Sequence, residues 1–302
     1  MYRSAQRWAG GIRVKLPMTE RSLRVADGVL NYAEGGGDGT PVVLLHGLTV
    51  EWSGWGEVIE RLPDTVHIYA PDLRGHGRSD WAGSGSGYRI PDFVDDIAEF
   101  LHDVSGAGSV VIGLSSGALV ALGVAARVPE LVDAVVAIDP PLILRDSGFE
   151  AIAYSDAHGW IHWVDDVLNG RLGASEAVAR FMVMTPGTTV AHAEQALDAI
   201  APLDPRATGQ AVSGRSFEGF DIGATLDAVS CPALLLAGEV HLGSLVRDQD
   251  LDFFQSHAPH GRAIRIQGGG HGIIWGDSVA PLTAQILRWL STLPELASSE
   301  WK

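Results

Sequence analysis

Residues 110–118 read Val110-Val111-Ile112-Gly113-Leu114-Ser115-Ser116-Gly117-Ala118, and the helix-forming stretch they open runs on to Arg127. The apolar run Val110 to Ile112 has no polar face, which is the pattern of a strand covered on both sides in a parallel sheet. Gly113 and Gly117 are small enough to permit a sharp turn from that strand into the helix. Such a turn holds the middle serine on a strained elbow and lifts its Oγ above the sheet edge. Ser115 is therefore a candidate nucleophile.

Working outward, similar apolar runs recur at Val42 to Leu45, Val135 to Ile138 and Leu234 to Ala237, and Ile264 to Ile266 reads as the last buried strand. Amphipathic segments lie between them. In Pro91 to Val104 a proline suits the first helical turn, and Phe93, Ile97, Leu101 and Val104 share one face. Alternating strands and helices place the chain in the α/β class. Leu23 to Val25 and Leu30 to Tyr32 flank Asp27-Gly28, a turn dipeptide, so the sheet is expected to begin with an antiparallel pair. Ser278 to Leu290 carries an apolar stripe and closes the sheet. Residues 142–225 break this rhythm with helical stretches and no buried strand, and are expected to form a helical cap. The expected organisation is an N-terminal arm at 1–18, a core at 19–141 and 226–302, and the cap between.

A serine hydroxyl is a weak nucleophile near neutral pH and needs a base in hydrogen-bond reach, itself oriented by an acid. His271, in Gly268-Gly269-Gly270-His271-Gly272, follows the last buried run and precedes the final helix, where glycines let the backbone carry an imidazole over the sheet edge. The developing oxyanion needs two backbone N–H donors, expected from Ser116 and from Leu48 in Leu45-His46-Gly47-Leu48. His46 is expected to support that loop.

The His46-Gly47 step, the segment Asp72-Leu73-Arg74-Gly75-His76-Gly77-Arg78-Ser79, the serine elbow and the Gly270-His271 loop together resemble the α/β-hydrolase superfamily, over about residues 20–292 and in the same order. The resemblance implies a mostly parallel eight-stranded sheet flanked by helices, with a helical cap inserted after strand six. It also implies that Asp72 to Ser79 is a structural loop. Most members carry the acid shortly after the strand equivalent to Leu234 to Ala237, but here that place reads Gly238-Glu239-Val240-His241. Asp139, at the end of the run Val135 to Ile138, is the favoured replacement and Glu239 the rival. The segment Ile138-Asp139-Pro140-Pro141 resembles a minority branch that includes zearalenone-type lactone hydrolases and cofactor-free heterocycle dioxygenases.

These features imply a serine hydrolase that cleaves a neutral, bulky or aromatic carboxylic ester or lactone through an acyl-enzyme. Two alternatives stay open: a cofactor-independent dioxygenase of an aromatic heterocycle, and a non-enzymatic ligand receptor on the same fold. Trp52, Trp55, Trp160, Trp163, Phe181 and Met184 are expected to line an apolar substrate cavity, although the aromatics of the cap also suit a core of its own. A net charge of -16 argues against nucleic acid and anionic membranes as partners, since phosphate surfaces require clustered cations. The single cysteine, Cys231, excludes an intramolecular disulfide. His158 and His162 stand four apart, but Gly159 intervenes and no glutamate follows the first, so no metal is expected. With no phosphate loop and no dinucleotide fingerprint, no cofactor is expected either. No apolar run reaches the ~18 residues of a membrane span. A cytoplasmic protein is expected, and a homodimer is left open.

Overall fold

A computed structural model describes residues 16–84, 87–142, 156–184, 189–294, 296 and 301. Most of the expected N-terminal arm, part of the expected cap and the side chain of His158 lie outside the described residues.

The strands are β1 (Thr19–Val25), β2 (Gly28–Gly36), β3 (Pro41–Leu45), β4 (His67–Pro71), β5 (Ser109–Leu114), β6 (Val132–Ile138), β7 (Ala233–Ala237) and β8 (Gly261–Arg265). The helices are α1 (Gly56–Ile59), α2 (Ile90–Phe100), α3 (Ser116–Arg127), α4 (Asp156–Leu168), α5 (Ala174–Met184), α6 (Val190–Ile200), α7 (Pro205–Val212), α8 (Ile222–Ala228), α9 (Asp248–His257) and α10 (Val279–Leu290). All eight strands join one sheet in the order β1-β2-β4-β3-β5-β6-β7-β8. Only the pairings of β2, with β1 and with β4, are antiparallel. The register of the first pair sets Val25 opposite Gly28, so Ala26 and Asp27 form the two-residue turn and Gly28 already belongs to β2.

Because strand side chains alternate, neighbouring residues of each buried run face opposite layers. Val43, Leu45, Val111, Val135, Ala137 and Leu235 join a core with α2 and α3. Val42, Leu44, Ile112, Val136, Ile138 and Leu234 join a second core with α1 and α10. The sequence reading passed over β4. Its His67 and Tyr69 are only half-buried while Ile68 and Ala70 are fully buried, so it lacks the unbroken apolar run that marks the other central strands.

Between β6 and β7 the described residues contain helices and no strand. The boundary expected at 225/226 falls inside α8, which packs on α3 and α9 and so travels with the core. Among the described residues no helix is long and apolar enough to cross a membrane.

Candidate active site

The elbow is built by contact as much as by sequence. Ser115 sits at φ 56, a region that L-residues occupy only under constraint. Its N–H donates to Ile138 O at 2.8 Å, tying the turn to the end of β6. A Cβ on Gly117 would stand 2.3 Å from Leu45 O and 2.4 Å from His46 O, so only glycine lets α3 press against the end of β3. The loop after β3 lies against the nucleophile, since a Cβ on Gly47 would be 3.3 Å from Ser115 Cβ.

Asp139 follows directly on Ile138 and is fully buried, with a positive φ of 46 that turns its carboxylate toward β7. Its Oδ2 lies 2.7 Å from His271 Nδ1 and accepts from Leu245 N–H at 2.9 Å. Its Oδ1 accepts from Gly238 N–H at 3.2 Å and from the Ser244 hydroxyl. A carboxylate facing Nδ1 requires the proton on that nitrogen and leaves Nε2 as the acceptor. The His271 side chain is 29% exposed, open enough on its outer side to meet a substrate. Glu239 is engaged elsewhere: its Oε2 accepts from Gly268 N–H at 2.7 Å, and its own N–H donates to Gly269 O at 2.6 Å. It therefore braces the histidine loop without touching the imidazole. Gly270 allows that loop to pass the turn after β7, for a Cβ there would stand 1.9 Å from Leu242 O. No hydrogen bond joins Ser115 Oγ to His271 among the described residues. In substrate-free sites such contacts are commonly long and tighten on binding.

Ser116 is the first residue of α3, so its N–H has no helical acceptor. Leu48 N–H has no partner among the described residues. Two buried histidines hold the peptides on either side of Leu48. Leu73 N–H donates to His46 Nε2 at 2.9 Å, which puts the His46 proton on Nδ1, donating to Gly47 O at 2.8 Å. Burial lowers His46 to about 4. Burial, reinforced by His46, lowers His76 to about 3. The His76 ring nitrogens face Arg74 O and Leu48 O, and a neutral ring with a single N–H donates to one of them. Asp72 accepts from Trp52 N–H, Asn31 Nδ2 and Arg78 N–H, stitching β2 to the loops beside the site.

The aromatic residues expected around a cavity divide into groups. Trp55 is fully buried and Trp52 nearly so, both in the core under α1, because the turn Trp52–Trp55 folds them inward beneath the sheet. Trp55 presents no lining surface and Trp52 very little, which departs from that expectation. Trp163 is fully buried and donates to Ala177 O at 3.0 Å, while Phe181 packs edge-on against Trp160 and at a tilt against Trp163. These two form the interior of the cap helices. Trp160 and Met184 are half-buried, and Trp160 Nε1 donates to Thr49 Oγ1 at 2.8 Å, joining α4 to the loop that carries Leu48. Four residues that the sequence reading missed matter here: Ser244, Leu245, Arg265 and Thr49. Isolated in loops or on an edge strand, they follow no motif, and only the fold reveals their partners.

The structure thus sets a serine elbow over a parallel sheet beside a buried aspartate–imidazole pair and two backbone donors. A family model of the alpha/beta hydrolase fold matches residues 40–278, and the chain belongs to that family. It is 28% identical over 250 residues to N-formylmaleamate deformylase of Pseudomonas putida, covering 82% of this chain and 87% of that one. It is 23% identical over 282 residues to (E)-2-((N-methylformamido)methylene)succinate hydrolase of Acinetobacter baylyi, covering 92% and 100%. Naproxen esterase of Bacillus subtilis superposes with a TM-score of 0.69 at 18% identity over 91% of this chain and 92% of that structure, a likeness of fold. Several other curated relatives match over only 38–41% of their own length. Relatives of this kind carry the names of hydrolases, deformylases and esterases, and what the family match shows of this chain is its alpha/beta hydrolase fold.

Proposed function

We propose that this protein is a serine hydrolase that cleaves a neutral, bulky or aromatic carboxylic ester or lactone through an acyl-enzyme. The observation that carries the reading is the Asp139–His271 pair, 2.7 Å apart and one strand over from the Ser115 elbow. Ser115 Oγ attacks the carbonyl carbon as its proton passes to His271 Nε2. Leu48 and Ser116 N–H groups stabilise the oxyanion, each such donor typically lowering the barrier by ~3 kcal/mol. The tetrahedral adduct collapses, the C–O bond breaks, and the imidazolium returns its proton to the leaving alkoxide. Water then attacks the acyl-serine by the same route, releasing the acid and restoring Ser115. The Asp139 carboxylate, bonded to Nδ1, stabilises the imidazolium.

A neutral substrate is supported by the pairing of arginines with carboxylates. Arg74 is held by Asp96 and Asp27, Arg206 by Asp204, and Arg265 by carbonyls and Asp248. Trp160, Met184 and Leu48 offer the apolar contact surface. A second reading, hydrolysis of a C–N bond in a formamide or enamide, is favoured by the names of the two relatives matched along most of the chain. The chemistry differs only in the leaving group, which His271 would protonate as an amine.

The test is a panel of aromatic esters, lactones and N-formyl compounds, with products identified by mass spectrometry and Ser115→Ala as control. Ester or lactone turnover that vanishes in Ser115→Ala supports the first reading. Formate or amine release on N-formyl compounds alone moves the assignment to the second. Oxygen uptake on a hydroxylated heterocycle that persists in Ser115→Ala would refute both.

A further inference from the structure

The turn between β7 and α9 is where most members of the family place the acid, and here it lacks one at the expected position. Its polar atoms nevertheless converge on a carboxylate supplied from the neighbouring strand. Gly238 N–H and the Ser244 hydroxyl meet Asp139 Oδ1, and Leu245 N–H meets Oδ2. We propose that this turn acts as a carboxylate receptor and that Ser244 is the positioning residue which fixes the rotation of the Asp139 carboxylate toward His271.

The hydrogen-bond directions support the assignment. Ser244 is buried, and its Oγ accepts from Val246 N–H at 3.2 Å. That bond occupies a lone pair and leaves the hydroxyl proton directed at Asp139 Oδ1. Oδ1 is thereby anchored by two donors, and Oδ2 is presented to Leu245 N–H and His271 Nδ1. The receptor is fastened from outside by Arg265 on β8. Its guanidinium donates to Gly238 O and, at 3.1 Å, to Val246 O, and pairs with Asp248 at 2.7 Å. Gly238 is the first residue that binds the carboxylate and Val246 follows the last, Leu245, so the clamp holds both ends of the turn. Without the Ser244 hydroxyl, Oδ1 keeps one donor at 3.2 Å and the carboxylate gains freedom to rotate away from the imidazole.

This inference rests on Asp139 acting as the acid, and the experiment keeps the two apart. Ser244→Ala is compared with wild type and also in an Asp139→Asn background. A fall in kcat of about tenfold, the fold-change expected of one hydrogen bond to a charged group, is expected with KM within about twofold. No further fall is expected once residue 139 is asparagine. The low-field proton resonance of His271 Nδ1–H, recorded without substrate, should shift or broaden in Ser244→Ala. Ser244→Cys, similar in volume but a weak donor, should behave like the alanine variant and serves if that one does not fold. Equal losses in both backgrounds, a rise in KM alone, or an unchanged resonance would overturn the proposal. If Ser115→Ala kept full activity, the hydrolase reading would fail while the resonance still decided the role of Ser244.

Discussion

Replacing Asp139 by asparagine separates charge from shape. The site sits at φ 46, a left-handed conformation that asparagine tolerates nearly as well as aspartate, so the backbone should hold. The four donors around the carboxylate, Gly238 N–H, Ser244 O–H, Leu245 N–H and His271 Nδ1–H, cannot all be satisfied by an amide. If the amide oxygen keeps Leu245 and His271, its NH2 faces the Gly238 N–H, donor against donor. If it is reversed, the NH2 meets His271 Nδ1 and drives the ring proton to Nε2, where an acceptor is needed. Either outcome removes the charge that stabilises the imidazolium. A loss of ~10⁴ in kcat is expected, at ~1.4 kcal/mol per factor of ten a barrier increase of ~5 kcal/mol. Lost charge-assisted bonds should also lower stability by ~1.5–3 kcal/mol. The assay is initial-rate hydrolysis of an activated aryl ester beside a thermal melt, with Glu239→Gln in parallel, which should keep most of its turnover. Retention of more than about a tenth of kcat in a folded Asp139→Asn, or an equal loss in Glu239→Gln, would refute the assignment.

Gly117→Ala should cost at least ~1–3 kcal/mol of stability and lower kcat, because its Cβ meets the carbonyl oxygens of Leu45 and His46, which cannot rotate away; an unchanged melt would contradict the packing described. Trp160→Phe keeps the ring stack but removes the bond to Thr49, and about a threefold rise in KM is expected, measured by steady-state kinetics. Stability should also depend on pH through His46 and His76, which burial lowers from 6.5 to about 4 and about 3. Since the unfolded chain binds these protons and the folded one resists them, stability is whole above about pH 6.5 and falls as pH drops toward 4. The slope is up to ~1.4 kcal/mol per pH unit for each histidine. Glu51, Asp72 and Asp96, whose carboxyls burial raises, offset part of that loss at the acid end. Melts from pH 7.5 to 4.5 check this, and a shallower slope is expected in His76→Gln.

The elbow could be read from the sequence because its causes are local: two glycines, one serine and the apolar strand before them lie within eight residues. Helix α10 and the antiparallel opening were legible for the same reason. The choice between Asp139 and Glu239 was not settled by spacing, because the direction of each side chain depends on a backbone torsion. At Asp139 that torsion turns the carboxylate inward under β7, whereas Glu239 points back along the histidine loop. Trp52 and Trp55 misled because composition reveals an aromatic residue's size but not the face it turns to. A short turn after the β3 loop carries them below the sheet, away from the loop's catalytic side. Ser244 was invisible, a lone serine whose partner is 105 residues away in the chain.

On the assignment proposed above the acid, Asp139, ends β6, and its placement relative to the nucleophile is set by the sheet itself. Ser115 N–H donates to Ile138 O at 2.8 Å, and Asp139 N–H donates to Leu236 O at 2.8 Å, so main-chain bonds link the ends of β5, β6 and β7 in sequence. Nucleophile and acid therefore cannot move apart without breaking the ladder that also forms the core. The imidazole has no such constraint, since it rides on a glycine-rich loop held by Glu239 and by Asp139 itself. An aspartate on the β7 turn would have sat on a loop and lacked this direct tie to the end of β6. At the end of β6 the acid is a fixed post to which the loop-borne imidazole is bonded, and the β7 turn binds the same post. This division of roles gives the physical reason why Glu239→Gln, which loosens only the mooring loop, should cost far less than Asp139→Asn.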